Sequence, residues 1–361
     1  MKILVAAGAS GGHIFPALAF LEKLEEKKDK RKILLILPEK EIVKQLSGVS
    51  YEIKRIAMPG FRPALNYKNL KNLIKLIKSA LLSSYLVLKF NPDIVVSFGG
   101  LASIPVVLLA WLLRAKTLIH EQNVIPGQAN KFLAWFADKI AISFTETSSY
   151  LEKYRDKISL TGNPLRKSLV LIEKAKALDF FGFDKNKFTV LVMGGSQGSH
   201  KINSEFLRAV GLLGDKSGLQ VIHLSGIADY DLLKSGYAKL GIKFGLFNFF
   251  DTMQYAYSAA DLAVCRAGAM TISELIFYKL PGIIIPYPYA RGHQEENARV
   301  LSNKNCAVVI KDEFFEAERL KSDLENFLSE INKIENLRLG YRDFIRRDSA
   351  ELLAEEALSF N

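Results

Sequence analysis

One pattern occurs twice in this chain and restricts what it can fold into: a short apolar run, a glycine-rich turn, then a segment with helical spacing. Lys2 to Ala6 runs into Gly8-Ala9-Ser10-Gly11-Gly12 and a helix from His13 to Leu24. Thr189 to Met193 runs into Gly194-Gly195-Ser196-Gln197-Gly198-Ser199 and a helix near Lys201. Uncharged runs this short fit strands buried on both faces of a parallel sheet. Apolar runs and helical segments keep alternating after each opening. The expected class is therefore α/β, with two Rossmann-like domains facing an interdomain cleft. A length of 361 residues agrees, because it exceeds what one core usually serves. Gly162-Asn163-Pro164-Leu165-Arg166 interrupts the alternation and reads as the hinge. The expected domains are 1–163 and 164–344, with a C-terminal helix over about 345–361 returning to the first.

The densest set of polar groups between apolar anchors is Cys265 to Ala298, CRAGAMTISELIFYKLPGIIIPYPYARGHQEENA. Asp261 to Cys265 fits a buried strand and Arg266-Ala267-Gly268 a turn. Ala269 to Tyr278 fits a helix with Ile272, Leu275 and Ile276 on one side. Backbone N–H groups near Ala269 and Met270 open that helix. Such an end carries unpaired donors and partial positive charge, which suit a diphosphate. Thr271 and Glu274, three apart, share a face. The hydroxyl suits a phosphate and the carboxylate a vicinal diol such as that of a ribose. Alone, Glu274 reads as an ordinary helix acid and His293-Gln294 as a surface turn. Joined by Asn297 in a strand–turn–helix–strand–helix frame, they favour a nucleotide-sugar site.

The first turn is neither GxGxxG nor a phosphate-binding loop ending in Lys-Ser/Thr, which disfavours dinucleotide or ATP binding and a dehydrogenase. His13 stands at the mouth of its helix, where it reads either as a cap or as a general base. Asp93 to Phe98 followed by Gly99-Gly100 offers another helix start in the first half. Lys116 to His120, ending in Glu121-Gln122-Asn123, places polar residues at the C-terminal edge of a strand, where open α/β sheets bind ligands. Asp229-Tyr230-Asp231 reads as a helix start rather than a metal motif. Two cysteines, Cys265 and Cys306, give neither a disulfide framework nor zinc spacing, so a reducing compartment is expected. No metal cluster is visible, and no cofactor is expected.

The net charge of +11 lies wholly in the first half: residues 1–163 hold 24 Lys/Arg against 13 Asp/Glu, and residues 164–361 hold 25 against 25. A basic half suggests an anionic partner. Within it, Tyr67 to Phe90 carries the stripe Leu70, Leu73, Ile74, Ile77 and Leu81, flanked by Lys68, Lys71, Lys75 and Lys78. Such a helix either buries its stripe in the domain or rests on an anionic membrane. Leu76, Leu82 and Leu86 off the stripe, with Trp111-Leu112-Leu113, favour membrane contact. A non-enzymatic, nucleic-acid-binding protein would explain the charge but not the polar site residues. Ile94 to Leu113 is uncharged and long enough to span a bilayer, but its glycines, serines and Pro105 read as strand, turn and buried helix. No secretion signal precedes the first strand, because Gly8 and Gly11-Gly12 cut the apolar run.

Taken in order, these motifs resemble the MurG family, the peptidoglycan N-acetylglucosaminyltransferases that make lipid II from lipid I. The first turn with His13 resembles the family's GGTGGHxxPxLA. His120-Glu121-Gln122-Asn123, Gly162-Asn163-Pro164 with Arg166, Gly194-Gly195-Ser196-Gln197-Gly198, Arg266 to Glu274, and His293-Gln294 with Asn297-Ala298 complete the set. The resemblance implies a GT-B fold and the cytoplasmic face of the bacterial inner membrane. UDP-N-acetylglucosamine would be the donor and an undecaprenyl-pyrophosphoryl-linked muramyl peptide the acceptor, with other cell-wall synthesis proteins as further partners. It assigns donor contacts to Ser10, Gly11, Gly12, Asn123, Arg166, Ser196, Phe250, Ala269, Met270, Thr271, Ile272, Ser273, Glu274 and Gln294, and further ones to Gln197, Arg266, His293 and Asn297. Gly99, Gly100 and His120 fall on the acceptor side, and His13 is the candidate base. Membrane contact falls to Lys71, Lys75, Lys78, Leu73, Ile77, Leu81 and Trp111. Ala9, Ser10, Leu101, Ala267 and Lys279 depart from the family pattern; Lys279 stands where glycine is usual. A transferase for another lipid acceptor and a UDP-N-acetylglucosamine epimerase are the alternatives.

Overall fold

The computed structural model describes residues 1–27, 31–39, 49–57, 67–195, 197–344 and 348–360; of residues 67–71, 73 and 331 it describes the backbone alone. Ser196, and the side chains of Lys71 and Leu73, therefore lie outside the described residues. The chain divides into two compact units, Met1–Arg166 with Arg347–Asn361, and Lys167–Arg346.

The first unit holds seven strands: β1 (Lys2–Ala6), β2 (Lys32–Pro38), β3 (Glu52–Ile56), β4 (Ile94–Ser97), β5 (Lys116–Glu121), β6 (Lys139–Ile142) and β7 (Ile158–Leu160). They pair in parallel in the order β3-β2-β1-β4-β5-β6-β7. Successive β1 residues serve opposite faces: Ile3 and Val5 join one core, Leu4 and Ala6 the other. Both faces are covered, which is why the run carries no polar residue after Lys2. Residues 94–113 form β4, a turn and the helix Ser103–Leu112. Among the described residues no helix is long and apolar enough to cross a membrane.

The helix Ser349–Leu358 belongs to this unit. Its Leu353, Ala354 and Ala357 complete the core face that holds Phe20, Leu21 and Leu24 of the helix Gly11–Glu26. Lys23 bridges Asp348 (3.0 Å) and Glu351 (3.3 Å), Lys27 pairs with Glu351, and Lys139 reaches Glu356 (2.8 Å). The preceding helix, Ile331–Leu339, stays with the second unit, so the tail is shared between the two.

The second unit holds β8 (Phe188–Met193), β9 (Leu219–Leu224), β10 (Lys243–Phe247), β11 (Leu262–Cys265), β12 (Gly282–Ile284) and β13 (Ala307–Val309), parallel in the order β10-β9-β8-β11-β12-β13. In each sheet the strand order reverses once, between β1 and β4 and between β8 and β11. Such reversal points, at the C-terminal ends of the strands, are where open parallel sheets bind ligands. Both glycine turns sit there. Lys279 ends the helix Ala269–Tyr278 in the left-handed region (φ 51°, ψ 41°), which is the conformation glycine would adopt without strain.

Candidate active site

At the edge of the first unit, the helix begins at Gly11, two residues before His13, with Ser10 as its N-cap residue. Ser10 Oγ lies 2.8 Å from His13 Nδ1. Gly8 leaves room for the ring, since a Cβ there would stand 2.6 Å from Nδ1. The turn after β4 passes directly over the turn after β1. Gly100 has φ +86°, and a Cβ on it would stand 2.6 Å from Gly8 Cα. Ser10, Gly11, Gly12, His13, Gly99 and Gly100 are thereby brought together.

Next to them, β5 delivers His120 and Glu121, both buried. His120 Nε2 donates to Gly162 O (3.0 Å), so Nδ1 is the acceptor for Gln122 Nε2 (3.0 Å). Glu121 is a buried carboxylate held by donors: Asn123 N (2.9 Å) and Nδ2 (3.3 Å) on one oxygen, Gly127 N (2.9 Å) and Asn130 Nδ2 (2.8 Å) on the other. It holds Asn123 in place at the end of the strand. Asn130, which braces Glu121 from the helix Gln128–Leu133, carries no signal in the sequence that sets it apart. Arg166 lies with its guanidinium 4.8 Å from the Phe15 ring.

At the edge of the second unit, Gly268 caps the helix Ala269–Tyr278 in an extended conformation (φ −62°, ψ 143°), and its side-chain-free Cα leaves the first turn open. Ala269 and Ile272 are buried, so their contribution to a ligand is restricted to the backbone, whereas Met270, Thr271 and Ser273 are half-buried. Ser273 Oγ donates back to Ala269 O (3.0 Å). Glu274 is half-buried and accepts from the Tyr257 hydroxyl at 2.5 Å. Phe250 sits in an aromatic cluster with Phe247 (4.6 Å) and Phe181 (5.6 Å).

Three of the expected ligand residues also hold the turn that opens the helix. Arg266 is buried, and its guanidinium donates to Asp312 (2.5 Å), Ile285 O (3.2 Å) and Ser199 Oγ (3.0 Å). Gln294 Oε1 accepts from Ala267 N (3.1 Å) and Tyr287 N (2.9 Å), and buried Asn297 donates to Ala267 O (3.1 Å). Together they fix the turn Arg266–Gly268 and so the start of the helix. Gln197 is exposed, and His293 is half-buried at the first position of the helix His293–Ser302. Asp229 precedes the helix Tyr230–Ala238 but makes no side-chain cap there. Among the described residues, no group of three or more His, Cys, Asp or Glu is placed to hold a metal ion.

Burial lowers three histidines below the ordinary 6.5: His13 and His120 to about 4, and His223 to about 3. Between those values and 6.5 the unfolded chain binds protons that the native chain does not. Their contribution to stability is therefore fully present above pH 6.5 and is lost as pH falls through the native values. A melting temperature that drops from pH 6.5 towards pH 4, with up to three protons taken up on unfolding, is the expected result. A flat stability profile over that range would contradict it.

The N-terminal domain model of glycosyltransferase family 28 matches residues 3–142, and the C-terminal domain model of the same family matches residues 189–347. A Thermodesulfovibrio yellowstonii protein, named UDP-N-acetylglucosamine--N-acetylmuramyl-(pentapeptide) pyrophosphoryl-undecaprenol N-acetylglucosamine transferase, is 36% identical over 99% of this chain and 98% of its own. The crystal structure of Acinetobacter baumannii MurG superimposes with a TM-score of 0.77 at 22% identity, covering 99% of each chain. A UDP-GlcNAc 2-epimerase from Neisseria meningitidis, solved bound to UDP-GlcNAc, superimposes with a TM-score of 0.68 at 11% identity, over 99% of this chain and 100% of its own.

Proposed function

The chain belongs to the MurG family within glycosyltransferase family 28, and from that premise we propose how its two sheet edges divide the reaction. The fold is GT-B, and the reaction is transfer of N-acetylglucosamine from UDP-N-acetylglucosamine to lipid I, giving lipid II for peptidoglycan synthesis. The observation that carries the transferase reading is the reach of the sequence agreement. A fold alone is shared with an epimerase, but identity to the transferase extends over nearly the whole chain, acceptor-side unit included.

In our reading the second unit holds the donor. The N–H groups at Ala269 and Met270, with Thr271 and Ser196, meet the diphosphate. Glu274 takes the ribose hydroxyls, and the backbone beside Phe250 the uracil. The first unit supplies the acceptor side and the base. The muramyl 4-hydroxyl attacks C1 of the sugar, the bond from C1 to the UDP oxygen breaks, and configuration at C1 inverts. His13 takes the proton, leaving UDP and the lipid-linked disaccharide. For Nε2 to accept that proton, Nδ1 must carry the hydrogen and donate to Ser10 Oγ, which the 2.8 Å separation allows. The growing charge on UDP is met by the helix end, without a metal.

The test is UDP release from UDP-N-acetylglucosamine in EDTA, with and without a lipid I analogue. Release that depends on acceptor and yields a disaccharide supports the reading. Release without acceptor would point to an epimerase or hydrolase, and a requirement for added cation would refute the metal-free step.

We also infer contact with an anionic membrane. The helix Tyr67–Phe90 turns its serines inward: Ser79 and Ser83 are buried with Leu86 and Val87, while Ile74, Ile77, Leu81, Leu82, Tyr85 and Leu88 are exposed. Ser83 Oγ donates to Ser79 O (2.7 Å) and Ser79 Oγ to Lys75 O (2.8 Å), which removes their polarity from the core. The neighbouring helix Ser103–Leu112 adds exposed Trp111 and Leu112, and Leu113 follows. Lys75 and Lys78 lie exposed along the stripe. An apolar stripe in water with lysines beside it fits an anionic lipid surface. Sedimentation with phosphatidylglycerol vesicles should exceed that with phosphatidylcholine, and should fall with salt and with Lys75→Glu/Lys78→Glu. Equal binding to neutral vesicles would remove the electrostatic part, and no binding to either would remove the proposal.

A further inference from the structure

A polar network beneath the second glycine turn has no role in the reaction above. Its centre is Asn203, fully buried on the helix His200–Leu212. Asn203 Nδ2 donates to Ser225 O and to Asp229 Oδ2, each at 2.8 Å, and its Oδ1 accepts from His223 Nε2 at 3.0 Å. His223 Nδ1 in turn accepts from the Tyr237 hydroxyl at 2.7 Å, and both of these residues are buried. Asp229 Oδ1 takes His200 Nδ1 at 2.9 Å. Each donor meets an acceptor along the series, so the direction of every bond is fixed. Satisfied buried networks of this kind are rigid, and losing one member leaves costly unpaired groups.

Ser225 matters because the glycine turn rests on it. Gly198 and Gly226 have φ of +78° and +72°. A Cβ on Gly198 would run into Ser225 O, and one on Gly226 into Gln197 O. Backbone therefore lies on backbone, with no side chain between, and any movement of Ser225–Gly226 passes to Gln197–Gly198. The turn's other end is fixed from above, where Ser199 Oγ accepts from Arg266. The same Arg266 begins the turn that opens the helix at Ala269.

We propose that Tyr237, His223, Asn203 and Asp229 form a buried strut, and that the bond from Asn203 to Ser225 O sets the glycine turn at the height needed to bind the donor diphosphate beside the helix end. Asn203 and Asp229 are then positioning residues. The proposal rests on the donor reading of this sheet edge.

The test uses the full chain and two variants. Asn203→Asp turns a donor into a carboxylate facing Asp229 and Ser225 O. It should lower the melting temperature and raise the KM for UDP-N-acetylglucosamine about tenfold or more, with kcat changing less than about threefold. Asn203→Asp/Asp229→Asn places an amide donor opposite residue 203 again and removes the like-charge contact. It should recover the part of the melting temperature lost to like-charge repulsion while KM stays raised, because Ser225 O still lacks its donor. A purely structural role would return KM together with melting temperature, and that result overturns the proposal. So does a wild-type KM in either folded variant. Where Asn203→Asp alone does not fold, the double variant decides. Calorimetric titration with UDP separates the two readings. No binding by the wild-type protein overturns the donor assignment and the strut with it. Equal binding by wild type and variant overturns the strut alone.

Discussion

Changing His13 to alanine is expected to lower kcat by roughly 10²–10⁴ while the KM for UDP-N-acetylglucosamine stays within about twofold. The split follows from the placing of the groups: His13 belongs to the first unit, and the helix end and Glu274 belong to the second. Burial holds His13 at about 4, so the ring is neutral, and able to accept a proton, throughout the physiological range. The acid limb of the kcat/KM profile should accordingly fall near pH 4 rather than near 6.5. The low pKa makes His13 a weak base, which places the expected loss towards the lower end, at roughly 10². Near-wild-type turnover with UDP binding intact would remove His13 from the reaction.

The second large effect is structural. Gly100→Ala should destabilise the first unit by about 3–5 kcal/mol, lowering its melting transition by about 10 °C. Two terms add. A methyl at Gly100 would stand 2.6 Å from Gly8 Cα, and backbone cannot rotate away as a side chain can. A φ of +86° is strained for any L residue besides. Activity should fall as well, because Gly8 is also the residue that leaves space for the His13 ring. Gly195→Ala is the control. It has φ +95° with open space around it, so only the backbone term of about 1–2 kcal/mol applies. Equal losses in the two variants would mean that the crossing of the turns is not tight.

The fold was legible where physics acts locally. Runs such as Lys2–Ala6 and Phe188–Met193 leave few alternatives to buried parallel strands, and glycine after each marks the turn. The helix Ala269–Tyr278 and its Glu274 could be placed from spacing alone. What spacing does not contain is direction. The stripe on Tyr67–Phe90 was visible, but whether it faced core or solvent depended on Ser79 and Ser83 hiding their hydroxyls against their own helix. Nor does residue type distinguish a ligand contact from a brace. Arg266, Gln294 and Asn297 have the chemistry of sugar-phosphate recognition, and each also holds backbone or a neighbouring side chain in place. Asp229 stands at the helix start as its type suggests, but its carboxylate serves a buried network, because its partners His200 and Asn203 come from a different helix.

The helix Ser349–Leu358 has a consequence for the newborn chain. The first unit is encoded in two pieces, and the whole of the second unit is translated between them. Until Leu353, Ala354 and Ala357 leave the ribosome, the core face around Phe20, Leu21 and Leu24 has no cover. The uninterrupted second unit can close its own core earlier, so order of completion reverses order of synthesis, against the usual amino-terminal-first sequence. During that interval the cell must shield an open apolar surface on the first unit, and a nonsense codon before Ser349 would leave it open for good.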